Sequence, residues 1–145
     1  MQEQVQLFSK DDKSLSLSEV SKRATFAIKE PGLLPTGFEL VQALHITRPE
    51  GEFALLNYRN ETTKAFLRAL YQKFPDGIEV RSGRPLTIGG RGATLELSTP
   101  RRPDGSPLEG GDIMVLTIYN DDHLITVSSW KVSEERLEEI AATLL

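Results

Sequence analysis

Residues 29–40, Lys-Glu-Pro-Gly-Leu-Leu-Pro-Thr-Gly-Phe-Glu-Leu, constrain the fold more than any other stretch, because no helix can run through them. Pro31 and Pro35 have no N–H to donate, and each drives the residue before it, Glu30 and Leu34, out of the helical region. Leu34-Pro35-Thr36-Gly37 suits a type I turn, with proline in the second place and glycine in the fourth. Beyond it Phe38, Leu40, Leu44 and Ile46 alternate with Glu39, Val41, Ala43, His45 and Thr47, broken on the apolar side only by Gln42. A period of two belongs to a strand. The prolines therefore stiffen the entry to a sheet.

The remaining segments build on that entry. Residues 48–52 read as a turn and 53–59 as a strand that forms a hairpin with the first. A short strand follows at 78–80, a turn at Arg81-Ser82-Gly83-Arg84-Pro85, and three antiparallel strands at 93–98, 113–119 and 124–130. The first two of these are joined by a polar loop over 99–112, the last two by the hairpin turn Asn120-Asp121-Asp122-His123. Ser16 with Glu19 makes a capping box for a short helix with Leu17, Val20 and Ala24 on one face. Ser133 caps a second helix, with Glu134 and Glu135 in its first turn and a stripe of Leu137, Ile140, Ala141 and Leu144 that must be buried on the sheet. Residues 63–74 favour a helix on local grounds, since Phe66, Leu67, Leu70, Tyr71 and Phe74 form a helical stripe. Read as a strand, the segment sets Arg68 and Gln72 beside Phe66, Leu70 and Phe74. The expected architecture is α+β: a polar leader or linker over 1–15, then one domain over 16–145 with a curved antiparallel sheet of about six to seven strands, a short N-terminal helix and a C-terminal helix packed on the sheet.

Composition narrows the chemistry. A chain of 145 residues with 26% charged and 39% hydrophobic side chains has the balance of an ordinary globular domain, long enough to bury a core. It has no cysteine, which excludes disulfides, thiolate zinc sites and cysteine nucleophiles. No apolar run approaches the ~20 residues of a membrane helix. Net charge is −4, and the residues after 102 carry nine acids against Lys131 and Arg136, so general nucleic-acid binding is not expected. Residues 88–94, Ile-Gly-Gly-Arg-Gly-Ala-Thr, lack the Gly-Lys-Ser/Thr ending of a phosphate loop and lead into a strand; they read as a strand-edge turn or bulge. Asp121, Asp122 and His123 offer metal-ligand atoms, yet such residues are what hairpin turns use, and His45 is expected to be solvated on its strand's polar side. No serine stands in a nucleophile elbow. Glu134, Glu135, Glu138 and Glu139 fall on a wet helical face, where raised pKa values are not expected.

These readings leave a non-enzymatic protein with no catalytic residues, cofactor or metal, and with two candidate contacts. Arg101 and Arg102, in a loop with Pro103, Asp104 and Gly105, pair two guanidinium groups suited to a carboxylate or phosphate, against the plainer account of a solvated loop. Trp130, at the end of the last strand, is either a strand-to-helix packing residue or a ligand platform.

The order of parts then becomes informative: a capped helix, Phe26 and Ile28, Pro31, Leu34-Pro35-Thr36-Gly37-Phe38, a hairpin holding Tyr58, a strand ending at Trp130, and a last helix with Ala141 and Leu144. Over about residues 16–145 this resembles a bacterial domain family of unknown function, found in anti-sigma-factor-like proteins and in relatives of outer-membrane lipoprotein-sorting proteins. The resemblance implies a strand at 63–74. It also implies a sensing or protein-interaction domain in the cell envelope, outside the cytoplasm and tethered through its N-terminal side, with no membrane insertion by this segment. The alternative it implies is a carrier of a small apolar ligand or lipid, in a sheet–helix pocket lined by Phe38, Leu40, Leu55 and Trp130.

Overall fold

Ser16 opens the first helix, α1 (Leu17–Arg23), through the anticipated capping box: its hydroxyl accepts the Glu19 N–H at 3.1 Å, and the Glu19 carboxylate accepts the Ser16 N–H at 3.0 Å. The computed structural model describes residues 15–73, 83–99, 101–107, 112–120 and 123–145. Seven strands follow α1: β1 (Glu39–Arg48), β2 (Gly51–Arg59), β3 (Phe66–Lys73), β4 (Arg84–Ile88), β5 (Arg91–Ser98), β6 (Ile113–Asn120) and β7 (His123–Trp130). The helix α2 (Glu134–Ala142) ends the series, with the Ser133 hydroxyl accepting the Arg136 N–H at 3.2 Å. All seven strands lie in one antiparallel sheet of order β1-β2-β3-β7-β6-β5-β4. This is the expected α+β architecture, with a short N-terminal helix and a C-terminal helix. The expected short strand at 78–80 lies outside the described residues.

Local geometry departs from the sequence reading in four places. The turn before β1 closes one residue later than expected: the Phe38 N–H donates to Pro35 O, and Gly37 takes the third place with φ 94°. That positive φ is what a type II turn demands there. A Cβ on Gly37 would stand 2.6 Å from Asn60 Nδ2, whose amide donates to Thr36 O, so Gly37→Ala is expected to cost about 1–2 kcal/mol in denaturant unfolding. A change below a few tenths would mean that the turn yields freely. Second, a bulge between Leu40 and Gln42 breaks the alternation of β1, so the residues after it change faces relative to a regular strand. Third, residues 63–74 contribute the strand β3, as the resemblance implies, and not the helix that their local stripe favours, because β3 is paired along both edges, with β2 and β7, and carries apolar side chains on both faces. Fourth, Arg84 and Pro85 belong to β4, and Gly89-Gly90, with φ of 55° and 82°, form a two-residue hairpin turn to β5.

Cross-strand partners share a face, so the register sorts the side chains into two sets. One face carries Ala43, Ala54, Leu56, Tyr58, Leu67, Ala69, Tyr71, Ile125, Val127, Leu116, Ile118, Ala93, Leu95 and Ile88. Val20 of α1 and Leu137, Ile140 and Ala141 of α2, all fully buried, join these residues in one core. Both helices therefore lie on this face, and its alanines let them approach closely. The residues before β1 run beside α2: Gly32 N–H donates to Thr143 Oγ1 at 2.8 Å, Lys29 Nζ to Leu145 O, and Tyr71 Oη to Lys29 O at 3.3 Å. The opposite face carries Leu44, Phe53, Leu55 and Leu124, all buried, with Gln72, Thr94 and Thr117. None of these belongs to the helix-covered core.

The two sheet edges differ from each other. On β1 the Ala43 carbonyl accepts the Leu15 N–H at 2.6 Å, next to the bulge. On β4 the strand has five residues, includes Pro85, and begins at Arg84, which is paired with Glu134 of α2.

Candidate interaction surface

Phe66 begins β3 and Trp130 ends β7, and the antiparallel register sets them directly opposite each other. Their ring centroids lie 6.5 Å apart at 36°, a tilted cross-strand aromatic pair of the kind that holds strands together. Both rings are half-exposed and stand on the face away from the helices. Arg68, two residues along β3, lies on the same face with its guanidinium carbon 5.9 Å from the Phe66 centroid. Lys131 would point to the other face in a regular strand. Instead its φ of 62° swings the side chain back, bringing Nζ to 4.6 Å from the Trp130 centroid and within 3.1 Å of Thr63 O. Each ring thus has a cation over it. Across β7 and β6 the same face continues through Ser128, Val115 and Ile113, all half-exposed, to the exposed Glu96 on β5.

The expected role of Trp130 in strand-to-helix packing is corrected by this placement, since α2 packs on the other face. Phe66 was hidden from sequence reading by its place in a helical stripe. Its signal was nonetheless present, because only a strand puts Arg68 beside it. Arg101 and Arg102 are not brought to this surface by any described contact. The Arg101 guanidinium donates to Gly105 O at 2.8 Å, the Arg102 guanidinium to Pro107 O at 2.9 Å, and an isolated bridge joins Arg101 to Pro107. The Asp104 carboxylate accepts the Ser106 N–H at 2.9 Å and its hydroxyl at 2.6 Å, which holds the Asp104 carboxyl below its usual range. Among the described residues of the loop, Arg101, Arg102, Asp104 and Ser106 thus bond within the loop itself.

Both histidines are structural. His45, expected to be solvated, has a largely covered side chain: its Nε2 lies 2.7 Å from Glu52 Oε2, which also accepts the Thr25 N–H at 2.9 Å, while the Thr25 hydroxyl donates to Glu52 Oε1. Burial opposes ionisation of Glu52, but the hydrogen bonds from Thr25 and His45 outweigh it and hold the carboxyl below its ordinary value. His123 is the first residue of β7, buried, with its ring 4.9 Å from Phe26 and 6.3 Å from Tyr71. Asp121 and Asp122 lie outside the described residues, and among the described residues no group of histidine and carboxylate side chains could hold a metal ion. Of the α2 glutamates, Glu138 departs from expectation. Burial and the neighbouring carboxylate of Glu134 raise Glu138, while the Arg84 guanidinium beside it lowers Glu134.

The four residues of the expected apolar pocket separate. Phe38 packs against the helix-covered core, Leu40 pairs with Tyr58 and is exposed, and Leu55 and Trp130 lie on the opposite face. Two hydroxyls of the helix-covered face, Tyr58 Oη and Ser129 Oγ, are buried with no hydrogen-bond partner among the described residues, and burial together with Glu30 and Tyr71 pushes the Tyr58 hydroxyl up to about 12. Leu67 stands between these two residues in the cross-strand row, so they form no joint site. No described helix is long and apolar enough to cross a membrane. Comparison with family models, with curated proteins and with solved structures yields no match to this chain.

Proposed function

We propose that the chain is a non-enzymatic sensing or protein-interaction domain of a bacterial regulatory or envelope protein, acting outside the cytoplasm, and that it meets its partner at the Phe66–Trp130 end of the sheet. One observation carries the reading: the chain's single tryptophan is half-exposed beside a second half-exposed aromatic, on the face that neither helix packs against. Rigid aromatic side chains at a surface are where interface energy concentrates, because they bury much area at little entropic cost. The extracytoplasmic setting rests on the resemblance carried by residues 31–40.

A random peptide library displayed on phage and selected against the protein tests the reading. Enriched peptides are expected to change Trp130 emission, and the Trp130→Ala variant is expected to bind them about tenfold or more weakly. Equal binding by that variant would remove this surface from the reading. If no peptide is enriched on the unaltered protein, the interaction function itself fails.

A further inference from the structure

We infer that the partner segment is an acidic peptide with an apolar anchor, its carboxylates taken by Arg68 and Lys131 and its anchor by Phe66, Trp130, Ile113 and Val115. The inference rests on the interaction reading above and specifies the chemistry of the partner.

Three features of the surface lead there. Arg68 and Lys131 are exposed, and each cation is held over a ring, which fixes its position while leaving N–H donors directed elsewhere. A positioned guanidinium and ammonium beside an apolar strip match a carboxylate-bearing segment that also carries an apolar side chain. Nearby cations are already engaged: Arg59 and Lys64 both lie against Glu61, at 3.7 and 3.5 Å. Among the described residues beside the two rings, this leaves Arg68 and Lys131 without a carboxylate partner, and the Lys131 ammonium keeps donors beyond the one it gives to Thr63 O.

The backbone supports the same reading. Lys131 is a non-glycine residue in the left-handed region, a conformation that costs about 1 kcal/mol and that glycine would adopt freely. The strained backbone delivers the ammonium to the Trp130 ring.

A polyanion such as single-stranded nucleic acid fits less well. Two cations neutralise few phosphates, Glu96 stands in the same cross-strand row as Arg68, and the chain as a whole carries −4.

The peptide library provides the test. Selection on the unaltered protein is expected to enrich Asp and Glu around one aromatic or aliphatic residue. The affinity of such peptides should fall about tenfold between low and physiological salt, and fall at least as much in an Arg68→Glu, Lys131→Glu protein. Reselection on that charge-reversed protein should yield basic peptides. Lys131→Gly supplies a variant that keeps the fold, because it relieves the backbone; it is expected to unfold at an unchanged or higher denaturant concentration and yet to bind acidic peptides several-fold more weakly. Neutral or basic peptides from the unaltered protein, or acidic peptides that bind the charge-reversed protein equally well, would overturn this inference while leaving the interaction reading in place. An oligo-dT of matched charge that binds more tightly than the acidic peptides would also overturn it, in favour of nucleic acid. Failure to enrich any peptide would remove the parent reading instead.

Discussion

Tyr71→Ala is expected to destabilise the domain by about 3–5 kcal/mol, the range for removing a large aromatic from a packed core. The ring is fully buried on β3 between Ala54 of β2 and Ile125 of β7, stacked on Phe26 at 5.9 Å and 14°, with His123 at 6.3 Å. The small alanine beside it gives room for the ring and would leave the cavity unfilled. Phe26 lies in the segment between α1 and the prolines, so the stack ties that segment to the sheet centre. Tyr71→Phe removes only the hydroxyl that donates to Lys29 O, and about 1 kcal/mol is expected. Urea unfolding with an unchanged slope checks both values. If Tyr71→Ala costs no more than Tyr71→Phe, the ring contributes little packing and this account of the core is wrong.

The second large effect concerns acid. Glu52→Ala leaves the Thr25 N–H, the Thr25 hydroxyl and the His45 ring without their common acceptor in a partly buried place, and about 1–2 kcal/mol should be lost at neutral pH. The pH dependence follows from the lowered pKa. A carboxyl whose folded pKa lies below its unfolded value of 4.5 contributes its stability above pH 4.5 and loses it as pH falls through the lower folded value. The unaltered protein should therefore lose stability below pH 4.5 more steeply than Glu52→Gln, which has no charge to lose. His45 is the titratable group facing this carboxyl, and it is present in both proteins. Parallel acid profiles for the two would show that Glu52 gains nothing from its partners on folding.

Much of this fold was legible, because helix caps and cleanly alternating strands announce themselves locally. The Ser16–Glu19 box, the Ser133 cap and the buried stripe of α2 follow from a few residues at fixed spacing, and β5, β6 and β7 from their alternation. Strand β3 was not legible by the same means. Leu67, Ala69 and Tyr71 face the helices while Phe66 and Leu70 face the other way, so apolar residues occur on both sides and the period of two vanishes. The same residues then satisfy a helical stripe. The bulge after Leu40 hid the covered position of His45, since it shifts alternation by one. The interaction surface needed the register itself: Phe66 and Trp130 are 64 positions apart in the chain, and only the β3–β7 pairing makes them neighbours.

The edges of the sheet bear on how this domain behaves among copies of itself. An open sheet ordinarily invites growth, because its outer strands present a row of unused backbone groups to any passing strand. Here β4 is short and contains a proline that offers no N–H, and its first residue is tied back to α2. The β1 edge is kinked by its bulge, and Leu15 already takes the Ala43 carbonyl. Neither border is a straight template for lateral addition. For the proposed interaction role, recruitment would thereby be separated from polymerisation: a partner taken on the broad side of the sheet does not lengthen the sheet into a fibre.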